Sequence, residues 1–191
     1  MLSNPLRNVN DFAPISDSQN RRACSIIRSM TEPTTSPRVS QVLYLLDRAF
    51  DGMEWHSLLG NLKSVTPDDW LWVPPGGRRS IRDIVQHIGA AKFIYHHYAF
   101  GDATLHWDDP QVDRWDVVET IPSAIDWLRE NHSRLRESIS ALDDAGLLQP
   151  RPNFRGQLKE TRWLIATMIE HDLYHAGEIN HTRCLHQQDD E

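Results

Sequence analysis

The sequence predicts an all-α fold, a four-helix bundle with a long connection between helices 2 and 3 and a disordered N-terminal arm. Three observations lead to this prediction. Apolar residues recur at steps of three and four in four long segments, which is the period of an α-helix. Stretches rich in proline and glycine separate these segments. No alternation of apolar and polar residues is long enough to predict a strand.

The N-terminal part differs in composition from the rest of the 191-residue chain. Residues 1–37 are polar and interrupted by proline, as in "SMTEPTTSPR", so we expect a mostly disordered extension. The remaining part, residues 38–188, is long enough to bury a core without disulfides or a structural metal. The sequence therefore predicts an arm followed by one helical domain.

Predicted helix 1 spans residues 39–63. Its apolar stripe, at alternating steps of four and three, is formed by Val39, Leu43, Leu46, Phe50 and Met53. The following segment, "TPDDWLWVPPGGRRS", is predicted to be a loop because its prolines and glycines do not fit together in a regular element. Predicted helix 2 spans residues 81–100, with Ser80 as its N-cap and Asp83 as the partner in a capping box.

The second half of the domain contains two further predicted helices. Residues 101–120 form a long connection to predicted helix 3, residues 122–144, and predicted helix 4 spans residues 159–187. Short loops within each pair of helices predict antiparallel neighbours, whereas the long middle connection can leave helices 2 and 3 parallel. Helices of this length extend about 30–40 Å, which is typical of a four-helix bundle.

Composition and charge exclude several classes of function. The net charge is −7, and no cluster of Lys or Arg predicts a surface for nucleic acid or an anionic membrane. No segment resembles a signal peptide or a membrane span. The two cysteines, Cys24 and Cys184, lie in unrelated contexts, which fits a reducing compartment. We therefore expect a cytoplasmic protein with a small-molecule substrate.

Predicted helix 4 places ionisable residues on its inward stripe. The stripe consists of Leu164, Met168, His171, His175, Glu178, Thr182 and Leu185. Buried imidazoles and carboxylates are costly without partners, and a spacing of four residues directs His171 and His175 to one point. A divalent cation or a hydrogen-bonded polar network would satisfy them. His181 and His186 lie off the stripe, and we expect them to be solvated.

A third histidine is predicted on the neighbouring helix. The inward stripe of predicted helix 2 is Ser80, Ile84, His87, Ala91, Ile94 and Tyr98. Three histidines from two helices leave a coordination position open, which is typical of a catalytic metal site. His56 and His132 also reach inward positions. His56 could orient a ligand or touch substrate, but for both we favour a satisfied, partly buried histidine.

Two other metal chemistries fit the sequence less well. In the zincin motif a glutamate follows the first histidine, whereas Asp172 follows His171 here and no sheet is predicted. A di-iron carboxylate bundle needs two Glu-x-x-His motifs, and the chain has one such spacing, from Glu178 to the off-stripe His181. No nucleophile elbow, phosphate-binding loop or dinucleotide fingerprint occurs.

Residues 38–187 resemble the DinB-like superfamily of metal-binding four-helix bundles. The motifs that show this are "HDLYHAGEI" in helix 4, "SIRDIVQHIG" in helix 2 and the preceding "DWLWVPPGGRRS", and "AFGD" resembles one subgroup. The resemblance implies that His87, His171 and His175 are the metal ligands. It also implies a thiol S-transferase or isomerase that uses bacillithiol, mycothiol or glutathione, although many members have no known activity. Dimers are common in the superfamily, which implies a homodimer.

Together these features predict a metal-dependent enzyme that uses a low-molecular-weight thiol on a small electrophile. A divalent metal would lower the pKa of a thiol or of water, and Glu178 would serve as proton acceptor or outer-shell anchor. Metal-dependent hydrolysis and a non-enzymatic metal-binding stress or interaction protein are the alternatives. Zinc is the first expectation, but nickel, manganese and iron also bind imidazole.

Overall fold

The computed structural model describes residues 35–189, in which four long helices form a bundle and short elements join them. The helices are α1 (Pro37–Asp51), α2 (Leu58–Leu62), α3 (Pro67–Leu71), α4 (Ile81–Phe100), α5 (Ile121–Ser140), α6 (Asp144–Leu148) and α7 (Thr161–Asp189). The strands β1 (Pro150–Pro152) and β2 (Leu158–Glu160) form an antiparallel hairpin, and Trp115–Val118 is a 3-10 turn. The predicted all-α bundle is confirmed. The arm that was predicted to be disordered, residues 1–37, lies almost entirely outside the described residues. The division of the chain into an arm and a domain stays a prediction.

The long helices are arranged so that α4 and α5 are parallel. The Asn131 side chain donates to the carbonyl of Gly89, and His96 meets Ser138 further along, so residue numbers rise together in the two helices. Helix α7 packs between α4 and α1, and α5 packs against both α4 and α1. The long connection therefore leaves the second and third long helices parallel, as the sequence predicted.

The continuous predicted helix 1 is wrong, because the structure divides it into α1 and α2. Helix α1 ends at Asp51, and Gly52 leaves the helical region with φ −87° and ψ −103°. Glycine has a low helix propensity, which favours an interruption here. Ser57 then caps α2 by accepting a hydrogen bond from the backbone N–H of Gly60. As a result Met53 and His56 are exposed in the intervening turn.

Regular structure also occurs in two segments that were predicted to be irregular. Thr66 and Asp69 form a capping box that begins α3 inside the predicted loop. The hairpin of β1 and β2 is closed by Asn153, whose side chain accepts from two backbone N–H groups, and by Gly156, which has a φ of +73°. Strands of three residues are too short to show the alternation of apolar and polar residues. The sequence therefore did not predict them.

Predicted helix 3 also ends earlier than expected. Helix α5 stops at Ser140, and the Asp143 side chain caps the separate helix α6 by accepting from the N–H of Gly146 at 2.7 Å. The change of direction lets α6 pack against α7. It does not alter the inward stripe of α5, in which Leu128, Leu135 and Ile139 are fully buried.

The buried face of α7 coincides with the predicted stripe only in part. Its centre is formed by Thr161, Ile165, Met168, Asp172, Ala176, Ile179 and Arg183, all of which are buried. Four positions of the predicted stripe are buried as expected: Leu164, Met168, His175 and Thr182. His171 and Glu178 are half-buried, and Leu185 is exposed. His171 and Glu178 therefore lie at the margin of the bundle, whereas the side chain of His175 is buried.

No helix within residues 35–189 has both the length and the hydrophobicity that a membrane-spanning segment requires.

Candidate metal centre

Three histidines converge between α4 and α7. His87 comes from α4, and His171 and His175 lie one turn apart on α7, which runs antiparallel to α4 at this point. One ring nitrogen of each residue lies within 4.8 Å of those of the other two. The structure thus brings together the three side chains that the sequence placed inward on two separate helices. We call this set the histidine cluster.

The geometry of the histidine cluster fits a divalent cation. The Nε2 atoms of His87 and His171 are 3.2 Å apart. Two nitrogens bound to one tetrahedral zinc ion, each at about 2.0–2.1 Å, lie about 3.3 Å from each other. Neutral imidazoles are ligands for zinc, nickel and iron alike, so the donor set suits several metals. The residues that are present therefore fit the metal that the sequence predicts.

Glu178 fixes the orientation of one ligand. His175 Nδ1–H donates to Glu178 Oε2 at 2.7 Å, which leaves the lone pair of His175 Nε2 for the cluster. The other carboxylate oxygen, Oε1, accepts from Nη2 of Arg79 at 2.7 Å. Arg79 directly precedes the N-cap of α4, so this contact also ties the beginning of α4 to α7. A carboxylate that holds a ligating imidazole is a usual feature of metal sites.

Burial keeps all three imidazoles neutral. Desolvation, together with the nearby His175 and His87, lowers the pKa of His171 to about 3. Desolvation also lowers the pKa of His87, as do the charges of His175 and Arg79. The pKa of His175 falls for the same primary reason, although Glu178 opposes the shift. Because metals bind neutral imidazole, the cluster is prepared for a cation at neutral pH.

These shifts predict that metal-free protein loses stability in mild acid. We expect the Tm of chelator-treated protein to fall as the pH is lowered from about 7 to about 5, measured by circular dichroism. Each histidine has a folded-state pKa below its ordinary value of 6.5. Below that value the unfolded chain binds more protons than the folded chain, so acid favours unfolding. The stability that the three neutral imidazoles contribute is complete above about pH 6.5. It is lost progressively as the pH falls towards their lower folded-state pKa values.

A His171→Gln variant provides the comparison for this measurement, because it removes the histidine of the cluster whose pKa is lowered to about 3. Its Tm should depend less on pH over the same range. A Tm that stays constant or rises on acidification of the unsubstituted protein contradicts the prediction.

Aromatic rings lie beside two members of the histidine cluster. The Trp107 ring lies nearly parallel to that of His87, with centroids 6.1 Å apart, and the Tyr95 ring meets His171 edge-on at 5.9 Å. Phe154, in the turn of the hairpin, contacts both Trp107 and Tyr95. We call Tyr95, Trp107 and Phe154 the aromatic wall. Sequence reasoning missed it because two of its members belong to connections without periodicity.

The remaining histidines serve other contacts. His132 is buried, its Nε2 bonds Asp47 at 3.0 Å, and its ring stacks on Phe50. Its buried Nδ1 has no hydrogen-bond partner among residues 35–189, so the favoured interpretation of a satisfied core histidine is met at one ring nitrogen only. His56 is exposed, so the favoured interpretation of a partly buried histidine is wrong for it. His181 is exposed, and both residues lie outside the cluster. The prediction that His186 is solvated is wrong, because its Nδ1 meets the buried carboxylate of Asp69 at 2.8 Å.

A buried ion pair lies beside the cluster and was not predicted. Lys92 Nζ and Asp172 Oδ2 are 2.6 Å apart, and their side chains are 2% and 1% exposed. The pair joins α4 to α7 next to His171. The sequence holds a signal for it, since Lys92 continues the apolar stripe of Ile81, Val85 and Ile88, and Asp172 lies between buried Met168 and Ala176. A charged residue within a buried stripe requires a charged partner.

Similarity to a known family identifies the superfamily of the chain. The sequence profile of the DinB superfamily matches residues 52–179, about two thirds of the chain, and this range contains all three histidines. The chain belongs to the DinB superfamily. No curated protein matches this DinB superfamily member significantly. Membership therefore supports the helical fold, while activity and substrate have to be argued from the site.

Proposed function

We propose that this DinB superfamily protein is a divalent-metal-dependent enzyme that uses a low-molecular-weight thiol in S-transfer to, or isomerisation of, a small electrophile. The observation that supports this most directly is the position of the histidine cluster. Three neutral imidazoles converge between α4 and α7, and His87 and His171 are only half-buried, whereas His175 is buried. Structural zinc sites are usually closed by four protein ligands, whereas three ligands with access for a fourth are typical of catalysis.

The proposed roles follow from the contacts. His87, His171 and His175 would hold the cation. When bound, a divalent metal lowers the pKa of a thiol or of water at neutral pH and so supplies the nucleophile. Both oxygens of Glu178 already accept hydrogen bonds, one from His175 and one from Arg79. We therefore assign Glu178 as a positioning residue that holds the His175 ring, in preference to a proton acceptor.

Glu178→Gln tests this assignment. We expect metal affinity to fall by about 10- to 100-fold, the usual effect of altering an outer-shell partner, with the metal-loaded fraction regaining most of its turnover. Glutamine keeps the shape but loses the negative charge that strengthens the bond from His175. Competition with a chromogenic chelator measures the affinity.

Glu170→Gln is the matched control, because Glu170 is exposed and lies two turns earlier on α7. It should leave metal affinity unchanged. Full metal affinity in Glu178→Gln, together with lost turnover, would support the proton-acceptor role instead.

The proposed function is tested by metal analysis joined to thiol turnover. We expect purified protein to retain about one divalent ion per chain and to consume bacillithiol, mycothiol or glutathione in the presence of an activated aryl halide. Chelation should abolish the turnover, and one of zinc, nickel, manganese or iron should restore it. Turnover that persists in metal-free protein would reject the proposal.

The same experiment separates the two alternatives. Metal-dependent cleavage of activated esters without thiol consumption would favour a hydrolase. A large decrease in Tm on chelation, with no turnover of any kind, would favour a non-enzymatic metal-binding protein. In the proposed function the protein acts in the reducing cytoplasm, where its thiol cosubstrate stays reduced. The homodimer stays a prediction.

A further inference from the structure

A cavity of about 310 Å³ lies beside the histidine cluster, between α4, α7 and the hairpin of β1 and β2. This volume is at the lower end of the range of about 300–1,000 Å³ for small-molecule sites. Six of the residues that line it are largely apolar: Tyr95, Pro152, Phe154, Trp163, Leu164 and Met168. Aromatic side chains on several sides favour a flat ligand that stacks against them.

The cavity shares a wall with the histidine cluster. Tyr95 lines the cavity, and its ring centroid is 5.9 Å from that of His171. Thr167, which also lines the cavity, lies one helical turn before His171, a rise of about 6 Å. A molecule held in the cavity therefore lies next to the atoms that would hold the metal.

Two cations at the cavity have no acidic partner among residues 35–189. Lys159 lines the cavity, and the Arg155 guanidinium lies 5.2 Å from the centroid of the Phe154 ring. The charge of Arg155 opposes the rise that burial causes in the pKa of Tyr95. The whole chain has a net charge of −7, so unpaired positive charge beside an apolar cavity indicates an anionic ligand.

We propose that this cavity binds the electrophilic cosubstrate and that this cosubstrate is a flat, aromatic molecule with one anionic group. That the ligand is a cosubstrate rests on the proposed function. That it is aromatic and anionic is argued from the residues of the cavity alone. The aromatic part lies between Phe154, Tyr95 and Trp163, and the anionic group pairs with Lys159, which lines the cavity. In this assignment the thiol approaches the cluster from the solvent side.

The first test is calorimetric titration of the chelator-treated full chain with 2-naphthoate and with its neutral counterpart, 2-naphthylmethanol. We expect one molecule of 2-naphthoate to bind per chain, about two- to fivefold more tightly than the alcohol, because a partly exposed charge pair contributes a modest free energy. Equal affinity for the two ligands, or no binding of 2-naphthoate, would overturn the proposal.

Variants locate the binding. Thr167→Trp places a large ring in the cavity from an exposed position and should abolish binding. Lys159→Met should weaken binding of 2-naphthoate by about two- to fivefold and leave the alcohol unaffected. Lys63→Met, at an exposed lysine after α2, is the matched control and should bind as the unsubstituted chain does. Unchanged affinity in Thr167→Trp would show that the ligand binds elsewhere.

The metal-loaded protein provides the second test. We expect 2-naphthoate to inhibit turnover in competition with the electrophile and not with the thiol, and competition with the thiol alone would overturn the assignment. Because the titration is done without metal, failed binding counts against the cavity. Absence of metal-dependent turnover counts against the proposed function.

Discussion

Lys92→Met lowers the free energy of unfolding by about 3–5 kcal/mol, the usual cost of breaking a buried ion pair. The substitution leaves the Asp172 carboxylate without its partner in a site where it is 1% exposed. A buried charge without compensation is expensive because the interior screens it poorly. Urea unfolding followed by far-UV circular dichroism measures the effect, and the m-value should remain unchanged.

The double variant Lys92→Met/Asp172→Leu separates the cost of an unpaired charge from the loss of an attraction. We expect it to regain most of the lost stability, since apolar replacements of a buried pair are often neutral or stabilising. Lys63→Met, at an exposed lysine, should change the free energy of unfolding by no more than about 0.5 kcal/mol. A single Lys92→Met variant as stable as that control would show that Asp172 is not held buried.

Helical periodicity is sufficient to predict the long helices and the three histidines. Apolar residues at steps of three and four determine which face of a helix packs inward, and His87, His171 and His175 all occupy such steps. The antiparallel approach of α4 and α7 follows from the lengths of the connections. Convergence of the three side chains is therefore a consequence of local pattern and chain direction, both of which one sequence contains.

The rotation of α7 about its axis could not be predicted in the same way. Two neighbouring stripes satisfy the helical period, one through His171 and His175 and the other through Asp172 and Ala176. An aspartate in the second stripe argues against burial when the helix is considered alone. Its burial depends on Lys92, which lies 80 positions earlier in the chain. Pairing across such a separation leaves no periodic signal in a single sequence.

The aromatic wall and the cavity were unpredictable for a related reason. Trp107 lies in an irregular connection, and Phe154 lies in a turn between two strands of three residues. Their positions depend on how the hairpin folds back over α4 and α7, which is a tertiary event. The sequence thus indicates the ligands of the candidate site but not the surface that would select a substrate.

His87→Ala removes bound metal and thiol turnover together. Without His87 only two ligands remain, both on α7, and the cation loses the contact from α4. We expect metal affinity to fall by more than about 100-fold, beyond the usual effect of an outer-shell change. Because His87 is half-buried and its Nε2 faces His171, truncation should leave the helical circular dichroism spectrum unchanged. Metal content after dialysis and thiol consumption are the two measurements.

His171→Ala and His175→Ala should have the same effect as His87→Ala, because the three nitrogens form one donor set. The controls are His56→Ala and His181→Ala, which remove exposed imidazoles outside the cluster and should keep both metal and turnover. Equal metal loss in the controls would indicate nonspecific binding by surface histidines. Stoichiometric metal in a folded His87→Ala variant would place the site elsewhere, since two imidazoles one turn apart on one helix leave most of the coordination sphere to water.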